Sequence, residues 1–254
     1  MCADVSLSPP TASGLIVAGR GHVGSRVITG LERSPQYRYG VAMKVAQIPE
    51  FFAILAKDDP APRTELAFTN EFTLLVAVVL SAQATDIGVN KATKTLFQRA
   101  DTAAKMLALG EDEIREEVRT IGLFRNKAKN VFKLSQILVD EFGGQVPRDM
   151  ETLMSLPGVG RKTANVVMNE AFGVATFAVD THVFRVSNRT GLAPGKTELA
   201  VEKKLDRRVP EPYRRHAHHW LILHGRYICL ARKPKCYICP VADLCRFKAK
   251  TESA

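Results

Sequence analysis

The chain has no apolar run long enough to cross a bilayer. Its longest, Leu74–Leu80, falls far short of the ~20 residues that a spanning helix needs. A secretory leader is also missing: Leu15–Ala18 is short and flanked by glycine, so no long apolar segment forms there. Clear apolar–polar alternation, the mark of a half-buried strand, is absent apart from the short ambiguous stretch Val174–Val179. No long-period internal repeat is evident. Acidic residues are outnumbered, 26 Asp+Glu against 36 Lys+Arg, which leaves +10 and a pI near 9.5. Such a balance favours a polyanionic partner, nucleic acid before an anionic membrane. Cysteine is scarce: 5 in 254 residues. In a protein retained in the reducing cytoplasm disulfides are not expected, and four of the five crowd into residues 229–245. That crowding points to metal; Cys2 lies far away and is incidental.

Residues 1–42 are glycine-rich, lack helical periodicity and carry Arg20, Arg26, Arg33 and Arg38 as their only full positive charges. This composition predicts a disordered leader. An arginine-rich, acid-poor leader also fits organelle targeting, although no clean amphipathic helix is visible in it, and a third reading makes Met43 the true start. After Met43 the period is helical. Phe72, Leu75, Val76, Val79 and Leu80 form one apolar face, and Val131, Leu134, Leu138 and Phe142 form another before Gly143-Gly144. Ala164, Val167, Met168 and Ala171 repeat the pattern up to Gly173. The expected fold class is all-α.

Leu156-Pro157-Gly158-Val159-Gly160-Arg161-Lys162-Thr163 reads as a tight turn between two helices. Pro157 ends the first helix. Gly158 and Gly160 permit positive φ and close backbone approach. The second helix would present free N–H groups and its positive dipole end to a phosphate. A Walker loop fails, because Arg161 separates the last glycine from the lysine and Ser155 stands where the first glycine belongs; a dinucleotide fingerprint fails at Thr163. A helix–hairpin–helix gripping a DNA backbone fits better than either, with a plain helix connector as its alternative. Lys162 sits where acids are preferred. The dipole and Arg161 both favour its neutral form, which a nucleophile needs; a solvated lysine on phosphate is the other reading. Asp180 follows the apolar run Phe177-Ala178-Val179, which suits a carboxylate at a cleft edge, a helix N-cap, or both. His182 reads as a catalyst or, more simply, as a structural hydrogen-bonder.

Cys229, Cys236, Cys239 and Cys245 have the spacing C-x6-C-x2-C-x5-C. One C-x2-C hook suits zinc or iron–sulfur, whereas zinc ribbons generally use two hooks, so the spacing favours a [4Fe–4S] cluster. Arg232, Lys233 and Lys235 lie between the first two cysteines, placing three cations in a loop suited to phosphate.

These segments, together with Leu80-Ser81-Ala82-Gln83-Ala84-Thr85-Asp86 and His219-Trp220-Leu221-Ile222-Leu223-His224-Gly225-Arg226, resemble the endonuclease III family of DNA glycosylases from about Met43 to near the C-terminus. The resemblance implies a two-domain all-α fold around a DNA cleft. A six-helix unit, 64–174, would contain the helix–hairpin–helix 150–169, and residues 43–63 plus 175–254 would form the iron–sulfur domain. It implies Lys162 as nucleophile, Asp180 as catalytic carboxylate, and Gln83 and Leu123 as wedges that fill the hole left by a flipped base. Gly158, Val159, Gly160, Arg161 and His182 join the expected DNA contacts. Phe124-Arg125-Asn126 replaces the Tyr-Asn-Ser of many relatives, a departure that bears on opposite-strand contacts.

The implied activity is a bifunctional DNA glycosylase and abasic-site lyase, acting on oxidised pyrimidines in damaged double-stranded DNA through a lysine Schiff base and β-elimination. Asp180 would help deprotonate the lysine and stabilise the positive sugar. A monomer in the bacterial cytoplasm, associated with the nucleoid, is expected. Two alternatives are a monofunctional adenine glycosylase of the same fold, which typically lacks the lysine, and a non-enzymatic iron–sulfur DNA-binding or redox protein.

Overall fold

The computed structural model describes residues 41–253. Except for Val41 and Ala42, the leader expected over residues 1–42, and Cys2 with it, lies outside the described residues. Ten α-helices follow in order: α1 Ile48–Asp58, α2 Glu71–Ser81, α3 Asp86–Arg99, α4 Ala103–Glu117, α5 Phe124–Phe142, α6 Met150–Ser155, α7 Arg161–Phe172, α8 Thr181–Thr190, α9 Glu198–Arg208 and α10 Glu211–Tyr227. Short 3-10 turns at Val45–Gln47 and Cys236–Ile238 complete the regular structure. No strand occurs among the described residues; the ambiguous Val174–Val179 is an unpaired connector.

Local chemistry explains the helix ends. Asn70 and Thr73 form a reciprocal capping box at α2. Thr85, Thr102, Asp149, Asp180 and Thr197 accept from first-turn amides of α3, α4, α6, α8 and α9. Proline starts α1 and α10. Two helices, α5 and α7, begin with neither a side-chain cap nor a proline. Their first-turn N–H groups are left without that internal partner.

The apolar side chains gather into two cores. One contains Leu66, most of α2 and residues of α3 to α7 up to Met168. The other combines Met43 and α1 with Phe177, Val179 and side chains from α8 to Leu244. The single apolar face expected for α2 widens to its whole circumference: every residue from Phe72 to Leu80 is buried. Helices α3, α5 and α7 pack around α2, and a helix enclosed on all sides carries no polar stripe. Polar contacts tie the two sets of helices together. Asn169 Nδ2 donates to the Arg215 carbonyl at 3.2 Å, and Arg226 pairs with Asp86 at 2.7 Å.

Candidate active site

A cleft of about 350 Å³ opens where α7, α8 and α10 meet the α2–α3 connection. Lys162, Asp180, His182 and Gln83 all line it. Lys162 comes from the first turn of α7 and is exposed. Asp180 is the N-cap of α8: its Oδ1 accepts from the amides of His182 at 2.9 Å and Val183 at 2.8 Å. Its Oδ2 lies 3.0 Å from His182 Nδ1. Burial pushes this carboxyl up, but the Val183 amide, His182 and the charge of Lys162 outweigh burial and hold it below its ordinary value. A single carboxylate therefore caps a helix and presents a fixed negative charge to the cleft, and the two sequence readings of Asp180 apply together.

The α6–α7 turn has the geometry its glycines allow, at one position more than the other. Gly158 has φ +80°, and a Cβ there would meet Asn130 at 2.9 Å and Val79 at 3.1 Å, so both its conformation and its lack of a side chain are needed. Gly160 has an ordinary φ of −92° as the N-cap of α7, so the positive φ that it permits is used at Gly158 and not there. Val159 turns its side chain into the core and donates its N–H to the Leu156 carbonyl at 3.0 Å. It offers the surface neither a side chain nor a free donor. Arg161 grips Glu202 of α9, Nη2 to Oε1 at 2.7 Å and Nε to both oxygens, which compensates part of its charge beside Lys162.

Gln83 and Leu123 share an unusual backbone. Among the described residues, the non-glycine residues at positive φ are Gln83 at 53°, Leu123 at 59° and Lys233 at 46°. All three are candidate DNA-contacting positions. Left-handed backbone in side-chain-bearing residues is unfavourable and concentrates at functional sites. The carbonyl of Gln83 lies 3.6 Å from where a Cβ on Gly122 would be, so the loops bearing Gln83 and Leu123 adjoin. Leu123 is 55% exposed, just ahead of uncapped α5. Arg125 rests over the Phe124 ring, 4.9 Å from its centroid.

Sequence reasoning passed over His218. It lies on α10 one turn before Ile222 and two before Arg226, and all three line the cleft. This i, i+4, i+8 spacing was the available signal. His218 is buried, and its Nδ1 has no hydrogen-bond partner. Burial, with His219 next to it, brings its pKa down to about 3, so the imidazole is neutral. Arg226, also unmarked beforehand, holds Asp86 and Glu65 at the rim.

Away from the cleft, Cys229, Cys236, Cys239 and Cys245 line one cavity together with Arg189, His224 and Phe247. All four thiols are free of disulfides. No three His, Cys, Asp or Glu side chains among the described residues gather as they would around one ion. Four thiols around one cavity suit an iron–sulfur cluster, in which each ligand of a cubane binds its own iron. Arg232 and Lys233 are exposed on the loop above, while Lys235 is half-buried.

Residues 76–211 match the model of the HhH-GPD superfamily of base excision DNA repair proteins, and residues 229–245 match the iron–sulfur binding domain of endonuclease III. Endonuclease III of Rickettsia felis is 55% identical over 205 residues, 81% of this chain and 96% of that protein. Endonuclease III of Escherichia coli K12 is 52% identical over 210 residues, 83% of this chain and all of its own length. The chain belongs to the endonuclease III family.

A solved structure of an endonuclease III–DNA covalent intermediate superposes with a TM-score of 0.75 at 48% identity, covering 80% of this chain and 96% of that one. A thermostable thymine-DNA glycosylase superposes at 0.71 with 25% identity, again over 80% and 96%. The all-helical architecture is thus that of the endonuclease III fold, the protein is an endonuclease III-type base excision repair DNA glycosylase, and its cofactor is a [4Fe–4S] cluster. No helix among the described residues is long and apolar enough to cross a membrane.

Proposed function

We propose that this endonuclease III-family protein is a bifunctional glycosylase and abasic-site lyase that uses Lys162 as its nucleophile. The observation that carries the reading is the convergence of exposed Lys162 and ionised Asp180 on one cleft. A base inside a duplex is out of reach, so the damaged nucleotide must first be extruded. Leu123 and Gln83 are the wedges, held ready by their left-handed backbone. The uncapped start of α7 and the Gly158–Gly160 turn take a DNA phosphate, as do Arg232, Lys233 and Lys235. Val159 shapes that turn from below.

In the chemical step Lys162 Nζ, having given its ammonium proton to solvent, bonds through its lone pair to C1′ as the C1′–base bond breaks; the electrons of that bond leave with the base, which takes up a proton from solvent. Positive charge develops on the sugar, and Asp180 faces it. A carboxylate held at low pKa is a weak base, so its part is electrostatic rather than that of a proton acceptor. Ring opening gives a Schiff base between Lys162 and C1′. That cation acidifies the C2′ proton; its loss expels the 3′ phosphate and cuts the strand 3′ to the lesion. Oxidised pyrimidines are the proposed substrates, and the protein acts as a monomer. Residues 64–174 form one domain, and 43–63 with 175–254 the other, in keeping with the two hydrophobic cores. Cys229, Cys236, Cys239 and Cys245 hold the cluster, whose part is architectural.

Product analysis tests the reading. A duplex with one oxidised pyrimidine should yield the free base and a 3′ unsaturated aldehyde end. Free base with an intact strand would leave a monofunctional glycosylase.

A further inference from the structure

Arg189, four residues after Arg185 on α8, is only 5% exposed. Its Nη1 donates to the Leu230 carbonyl at 2.6 Å and lies 3.6 Å from Cys229 Sγ, and its Nη2 donates to the Ala231 carbonyl at 2.9 Å. The guanidinium also sits over the Phe247 ring, 4.9 Å from the centroid. Nε has no partner. Arg185, one turn earlier, donates to the carbonyls of Cys229 and Gly225 at 2.8 Å each. Both arginines therefore fasten the start of the cysteine loop, and Arg189 also lies beside a thiol.

Its charge is the unexplained feature. Among the described residues no carboxylate lies within ion-pair distance of Arg189. Carbonyls and a ring face solvate a cation without neutralising it, and a buried cation lacking a counter-charge is costly. The cavity that Arg189 lines with all four cysteines supplies what is missing. Four thiolates on a 2+ iron–sulfur core leave two net negative charges.

We propose that Arg189 is the built-in counter-charge of the iron–sulfur cluster, retaining the cluster and setting how readily it gives up an electron. Losing one electron leaves the cluster with one negative charge fewer, so a fixed cation beside it disfavours that loss. Arg185 anchors the backbone, and Arg189 places a cation beside the Cys229 thiol itself. The proposal rests on the four cysteines being the cluster ligands.

The test uses the full-length holoprotein, wild type beside Arg189→Lys, Arg189→Gln and Arg189→Met. Iron content and visible absorbance of the wild type come first: a wild type without iron would remove the ligand assignment itself. With the cluster present, the readouts are its midpoint potential at an electrode, which accepts the electron, and the rate of iron release to a chelator. The neutral variants should show a lower midpoint potential and several-fold faster iron release, while Arg189→Lys stays near wild type. A neutral variant that cannot assemble a cluster, when Arg189→Lys can, supports the proposal equally. Unchanged potential and release rate in Arg189→Gln or Arg189→Met would overturn it. So would a Lys variant shifted as far as the Gln variant, because backbone clamping rather than charge would then be the cause.

Discussion

Gly225 of α10 packs so closely on His182 of α8 that a Cβ added at Gly225 would sit 2.8 Å from the His182 Cβ, 3.2 Å from its Cα and 3.3 Å from its carbonyl oxygen. Two of those three neighbours are backbone and cannot swing aside. The contact sets α10 against the end of α8 that carries Asp180, so packing and chemistry meet there. Gly225→Ala is expected to cost about 1–3 kcal/mol by overpacking, measured by urea unfolding, and to lower turnover as α8 is displaced. Wild-type stability would show that α8 and α10 are further apart than described.

Leu123 and Gln83 store backbone strain at the proposed wedges. Glycine adopts φ near +59° without penalty, so Leu123→Gly should leave stability unchanged or raise it by about 0.5–1 kcal/mol. The same change should weaken binding to a lesion duplex much more than binding to an abasic or already extruded analogue, because a wedge acts on unstacking. Equal losses on both duplexes would make Leu123 a general contact.

Local patterns single out the candidate residues, a glycine turn before Lys162, an apolar run before Asp180 and a fixed spacing for four cysteines, while the catalytic roles expected of Lys162 and Asp180 come from the family resemblance. Other features depend on partners distant in sequence. The apolar stripe of α2 reads as one face, since periodicity cannot reveal that α3, α5 and α7 enclose the remaining faces. Arg161 reads as free to act on Lys162, yet it is held by Glu202, 41 residues away. Val159 reads as part of a DNA-facing turn, yet its side chain belongs to the core. His218 is overlooked because its helical spacing to Ile222 and Arg226 marks a shared face without saying what that face lines; only the cleft brings it towards Lys162 and Asp180.

His218 and His219 make stability depend on pH. Burial lowers their pKa values from 6.5 to about 3 and about 4. Between about pH 4 and 6.5 the unfolded chain binds protons that the folded chain refuses. Their contribution is therefore complete above pH 6.5 and is lost as pH falls, by about 1.4 kcal/mol per unit for each histidine. Urea midpoints across this range should drop with acidity, and His218→Gln should flatten the slope. A slope unaffected by that substitution would contradict a neutral, buried His218.

Asp180→Asn separates the two tasks of this residue. Asparagine caps a helix about as well as aspartate, so the loss of stability should stay under about 1 kcal/mol. The negative charge facing the sugar is gone, and turnover should fall about a hundred-fold or more. Turnover near wild type, in protein of normal stability, would remove the electrostatic role.

Borohydride trapping on a duplex bearing one oxidised pyrimidine tests the central claim most directly. Reduction converts a Schiff base to a stable amine, and peptide mapping of the trapped complex locates the linkage. The account requires a covalent protein–DNA species from the wild type, linked through Lys162, and none from Lys162→Ala although that variant still binds the duplex. Equal trapping by Lys162→Ala, or a linkage at any other residue, would contradict it.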